Sequence, residues 1–279
     1  MVRRAGSVRC WPAQFAVTAA GAVALLAGLA GCGQGSSPSA TPGPRSGEPV
    51  SRVVQTLSFE TAIMGLAFDR VARAVYAPDN NDSTVMVIDT TTGDVVDTIT
   101  VGPAPLAVVV DETAGTVYVA NSHPDTGANG TVSVIDTTTG DVVDTITVGR
   151  DPFSMALDAA AGLPYVTNSD LNSETFPPAD ATVSVIDTTT RDLVDSITVG
   201  ASPLGVAVDG DAGVVYVAHM DWSPGSEGGK VSVVDAASRE VIDTITVGAL
   251  PGPIVVDPDT GTVFVVNAWD GTISVLAVE

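Results

Sequence analysis

From Arg52 to the C-terminus, short apolar runs alternate with breaks rich in Asp, Thr and Gly. Val, Ile, Thr and Tyr dominate the runs, the composition of strands that pack on a pleated surface. Between 106 and 148 the pattern predicts four strands, a to d: Leu106–Asp111, Thr116–Asn121, Thr131–Asp136 and Asp141–Val148. The breaks DETAG at 111–115 and DTTTG at 136–140 read as tight turns. Asp favours the turn start, and Gly supplies the positive φ that closes it.

The pattern then repeats. VSVIDTTTGDVVDTITVG at 132–149 returns at 85–102, 183–200 and 231–248 with few changes, and a truncated ISVLAVE ends the chain. Self-similarity of this length belongs to stacked or circular arrays. Spacing is strict, because the Asp closing strand a precedes the residue ending strand b by 10 positions in every copy. The pairs are Asp69–Asp79, Asp111–Asn121, Asp158–Asn168, Asp209–His219 and Asp257–Asn267. All length variation falls in the b–c connection. Four antiparallel strands per repeat of about 45 residues predict an all-β, five-bladed β-propeller. RVVQTLSF at 52–59 matches the strand-d segment DVVDTITV at 94–101. The N-terminal strand 52–59 is therefore expected to complete the last blade and close the ring, leaving no exposed sheet edge.

Residues 1–31 are different in kind. Arg3, Arg4 and Arg9 precede an apolar run from Phe15 to Ala30, the layout of a secretory signal. The sequence LAGC at 29–32 resembles the lipobox of bacterial lipoproteins, which implies lipid on the Cys32 thiol and cleavage before it. Two or more acyl chains at ~0.8 kcal/mol per buried CH₂ hold a protein stably on a bilayer. The export route stays open between the general and twin-arginine pathways. Residues 32–51 are Gly-, Ser- and Pro-rich and read as a flexible tether. Cys10 leaves with the signal and Cys32 takes lipid, so no disulfide is expected in the domain 52–279. Three of the 11 basic residues and none of the 33 acidic ones lie in the signal, so the mature chain is three units more negative than the −22 of the whole. Such a surface repels phosphate backbones and argues against nucleic acid as a partner.

The segments YVAN at 118–121 and YVTN at 165–168, each followed by VSVIDT, with VGPAP at 101–105 and VGASP at 199–203, resemble the YVTN family of β-propeller repeats. The resemblance spans 52–279; Asp79 and His219 depart from its Asn, and Phe264 from its Tyr. It implies a bacterial or archaeal envelope protein. Related propellers include lactone hydrolases and haem-carrying domains.

Repetition separates scaffold from site. The Asp residues after strands a and c recur in each copy and read as turn formers, including Asp209 and Asp257, whose flanks only superficially suggest a calcium loop. The long b–c loops at 122–130, 169–181 and 220–229 break the repeat. Together with the d–a turns they are expected on one rim. That rim supplies the candidate binding residues His123, Asp125, Arg150, Asp170, Glu174, Phe176, His219, Asp221, Trp222, Trp269 and Asp270. His219 with Asp221, or His123 with Asp125, has the composition of a base and its carboxylate, but no activated Ser or Cys adjoins either, so no catalytic residue is assigned. Asp79, Asn121, Asn168, His219 and Asn267 form the candidate set for a divalent metal. No cofactor is expected, and Cys-x-x-Cys-His haem attachment is absent from the sequence.

These features predict a monomeric, lipid-anchored binding or scaffold module on the outer face of the bacterial cytoplasmic membrane, serving an envelope protein or a small ligand. The alternatives are a metal-dependent hydrolase of lactonase type at the channel mouth and a redox accessory propeller.

Overall fold

The computed structural model describes residues 55–59, 62–123, 127–171, 181–221 and 228–277, all within the compact unit Pro49–Glu279. The signal, Cys32, the tether, and rim candidates Asp125, Glu174, Phe176 and Trp222 lie outside the described residues. Among those described there is no helix.

Among the described residues, nineteen strands form five antiparallel sheets, each ordered as the chain runs. The first sheet holds β1 (Ala67–Asp69), β2 (Ala74–Asp79), β3 (Thr84–Asp89) and β4 (Val95–Thr100). The second holds β5 (Pro105–Asp111), β6 (Thr116–Asn121), β7 (Thr131–Asp136) and β8 (Val142–Thr147). The third holds β9 (Pro152–Asp158), β10 (Leu163–Asn168), β11 (Thr182–Ile186) and β12 (Leu193–Thr198). The fourth holds β13 (Pro203–Asp209), β14 (Val214–Met220), β15 (Gly229–Asp235) and β16 (Glu240–Val247). The fifth has three strands, β17 (Pro251–Val256), β18 (Val263–Asn267) and β19 (Thr272–Leu276). Strands b and c of the second sheet match the sequence prediction residue for residue.

The turns form as their chemistry dictates. The Asp111 carboxylate accepts from the backbone N–H groups of Thr113 and Ala114, and Asp136 accepts from Thr138 and Thr139. The same pair of bonds recurs at Asp69, Asp89, Asp158 and Asp187. These backbone donors hold Asp89, Asp136 and Asp187 below the usual carboxylate range.

Alternation along the strands sends neighbouring side chains to opposite faces. Val117 and Val119 pack with Tyr76 and Val85 of the first sheet, while Tyr118 packs with Val166 and Ile186 of the third. Tyr165 and Val183 meet Val215 and Val217 of the fourth sheet, and Tyr216 and Ala218 meet Val263 and Val265 of the fifth. Four apolar cores thus join five sheets face to face, each fully buried Val or Tyr contributing about 1.5–3 kcal/mol. Innermost strands β5, β9, β13 and β17 pack in sequence around a common interior. A side chain at Gly205 would overlap the carbonyl of Gly252, so this position must stay small.

Among the described residues the ring closure expected from the sequence is not formed: residues 55–59 carry no strand, the fifth sheet has no fourth strand, and no packing comparable to that of β13 on β17 joins β17 to β1.

Candidate functional site

In the second, third and fifth sheets, backbone hydrogen bonds join the d–a turn to the start of the b–c loop. Ser122 N–H donates to the Ala104 carbonyl, Ser169 to Asp151, and Ala268 to Leu250, at 3.0–3.1 Å. Ala104, Asp151, Ser202 and Leu250, each preceding a proline, share φ near +50°. The two kinds of connection therefore do emerge together, as the sequence suggested.

On this rim Arg150 and Asp170 meet. The Arg150 Nη1 lies 3.2 Å from Asp170 Oδ1, without the alignment of a hydrogen bond. Asp170 is fully buried, takes a positive φ of 45°, and neither carboxylate oxygen accepts a hydrogen bond. A buried carboxylate so poorly matched depends on the adjacent cation. Beside it, Ser122 Oγ donates to the buried Asp151 carboxylate at 3.3 Å. Asp151 is not among the residues that the sequence analysis points to. Its signal was present: Arg150-Asp151 replaces Pro103-Ala104, Ala201-Ser202 and Ala249-Leu250 of the other turns.

His219 and Asp221 do not pair as base and carboxylate. His219 Nδ1 donates to the Met220 carbonyl at 3.2 Å, which leaves Nε2 to accept from Ser232 Oγ at 3.0 Å. Burial lowers the His219 pKa from its ordinary 6.5, so the ring is neutral at pH 7. Asp221 instead pairs with Lys230 at 3.1 Å, a residue outside the candidate rim set. His123 is half-buried at the start of its loop. Trp269 is largely exposed, its N–H donating to the Ala249 carbonyl, and the Asp270 carboxylate accepts from Ala249 N–H at 2.6 Å.

The candidate metal residues are distributed one per sheet. Asn121 Nδ2 donates to Thr131 and Ser133, Asn168 to Thr182 and Ser184, and Asn267 to Thr272 and Ser274. Asp79 accepts from Asn81 and Asp82 in its own turn. Among the described residues no group of three or more His, Cys, Asp or Glu side chains is placed to hold a metal ion. The asparagines, and His219 through Ser232, latch strand b to strand c in the second to fifth sheets.

Neither protein-family models nor curated proteins yield a match to the sequence. Among solved structures, the chain is similar to hydrazine synthase from Kuenenia stuttgartiensis, with a TM-score of 0.63 and 18% identity over 82% of this chain and 70% of that one. At that identity the likeness concerns the fold alone. Repeated four-stranded antiparallel sheets and this neighbour fit a β-propeller.

Proposed function

We propose that this chain is a YVTN-type β-propeller exported as a lipoprotein, anchored through Cys32 on the outer face of the cell membrane, and acting there as a non-catalytic binding module. The observation that carries the reading is confinement of variation to one rim. The long loops after Asn121 and Asn168 start on the face where d–a turns pin the b–c connections, and the buried Arg150–Asp170 pair lies there too. A rigid sheet scaffold with variable loops on one side is how binding surfaces are commonly displayed. The strongly acidic surface keeps such a module soluble.

Two measurements test it. Labelled palmitate should enter the wild-type protein but not Cys32→Ser. Cross-linking in intact cells, followed by purification, should yield a discrete adduct that disappears when loops 122–130, 169–181 and 220–229 are shortened. Retention of the same adduct by the shortened, folded protein sinks the rim assignment.

A further inference from the structure

Both ends of the sheet array expose apolar faces whose repeat counterparts are buried. On the fifth sheet Phe264 is 39% exposed where the equivalent Tyr216 is 2%, and Ile273 is 61% where Val231 is 0%. Val255, Val266 and Val275 enlarge that patch. On the first sheet Leu66 is 67% exposed where Val206 is 6%, and Met64 and Phe68 lie beside it along the chain, equally uncovered. Contiguous apolar faces of this kind mark interaction surfaces. They are the two halves of one interface that the molecule already forms four times, the front of one sheet on the back of the next.

A second mismatch points the same way. Strand β19 has no outer partner among the described residues. At the opposite end, Gln55 Nε2 donates to the Gly93 carbonyl at 3.4 Å. That is the position Asp97 holds beside Gly140, and Asp195 beside Arg239. Residues 55–59 thus stand where the outermost strand of a preceding sheet belongs. One end has a sheet without a fourth strand; the other has a fourth strand without a sheet.

We propose that a second copy of this chain resolves both. The fifth-sheet face of one copy packs on the first-sheet face of the other, and the partner's N-terminal segment adds to β19 as the missing strand. A second copy is favoured over self-closure because, among the described residues, no packing like that of β13 on β17 joins β17 to β1 within one chain. Such a head-to-tail contact covers all exposed ends when two copies close on each other. The register follows from the contact of Gly205 with Ile254, repeated by Gly65 with Val108. Across the new interface the corresponding pair is Pro253 with Leu66.

The full-length chain contains only Cys10 and Cys32, both replaceable by Ser. Two preparations, one carrying Leu66→Cys and the other Pro253→Cys, are mixed and mildly oxidised. A disulfide-linked pair should form in the mixture well above either preparation alone, and light scattering should give the mass of two copies. Ile273→Asp should reduce the mass to one copy with an unchanged circular dichroism spectrum, because Ile273 is exposed in the single chain. Should that variant unfold, the mixed disulfide decides alone. A single-copy mass without a mixed disulfide overturns the proposal. So does a Leu66→Cys/Pro253→Cys double variant that oxidises wholly within one copy, the result of a ring closed on itself. Loop shortening on the rim leaves all these readouts unchanged, so this inference stands apart from the proposed binding role.

Discussion

The side chain of Asn168 lies directly against Gly149: a methyl group added at Gly149 would come within 2.5 Å of Asn168 Cγ. The same pairing recurs at Gly102 with Asn121 and at Gly248 with Asn267, and at Gly200 the overlap is with the His219 ring. The glycine of each d–a turn is thus seated on the residue that latches strands b and c. It is required there for space, since Gly149 has no positive φ. Gly149→Ala is expected to destabilise by about 1–3 kcal/mol through overpacking. The check is the urea midpoint: an unchanged midpoint means the turn does not rest on Asn168.

The Tyr118 and Tyr165 hydroxyls are buried without a hydrogen-bond partner, and burial pushes the Tyr118 pKa up to about 12. A phenol in that position gives up hydration and gains nothing in exchange. Phe264 occupies the equivalent station in the fifth sheet. Tyr118→Phe is therefore expected to raise stability by ~1 kcal/mol, seen as a higher urea midpoint with the same slope. A lower midpoint shows that the hydroxyl is satisfied in solution.

The sheets were legible from the sequence because local chemistry fixes them. Asp136 accepts from Thr138 and Thr139 and Gly140 N–H donates to the Asp136 carbonyl, all within five residues, and Val132 and Val134 alternate with Ser133 in the strand before the turn. Closure was not legible. The match of 52–59 to a strand d is a local fact, whereas closure requires packing between sheets that are distant in the chain. The rim was readable in outline, since broken repeats locate Arg150 and Asp170. Its pairings were not: Ser232 reaches His219 and Lys230 reaches Asp221 across the strand register, far from them in the chain.

His219 stands where other sheets place Asn, and its neutral ring is held between Met220 and Ser232. Its folded pKa lies below its unfolded value near 6.5. Its contribution to stability is therefore complete above that value and is lost as pH falls from there through the folded pKa. His219→Asn keeps a side chain of the type accommodated at Asn168 and removes the titrating group. The wild-type melting temperature should drop between pH 7 and pH 5 more steeply than that of the variant. Parallel pH profiles for the two proteins would falsify the assignment of a buried neutral imidazole.

The Arg150–Asp170 pair lends itself to a double-mutant cycle, because its members differ in burial. Asp170 is wholly enclosed, while Arg150 keeps about a quarter of its side chain in solvent, at 24%. Arg150→Ala strands an enclosed carboxylate, expected to cost about 3 kcal/mol. Asp170→Asn leaves a cation that reaches water and should cost far less. Adding Asp170→Asn to Arg150→Ala should recover most of the loss, since the stranded charge is then gone. The coupling is read from urea unfolding of the three variants against wild type. Additive losses mean that the guanidinium and carboxylate are neighbours without interacting, and that the rim holds its shape through the backbone bonds of Ser169 and Asp151 instead.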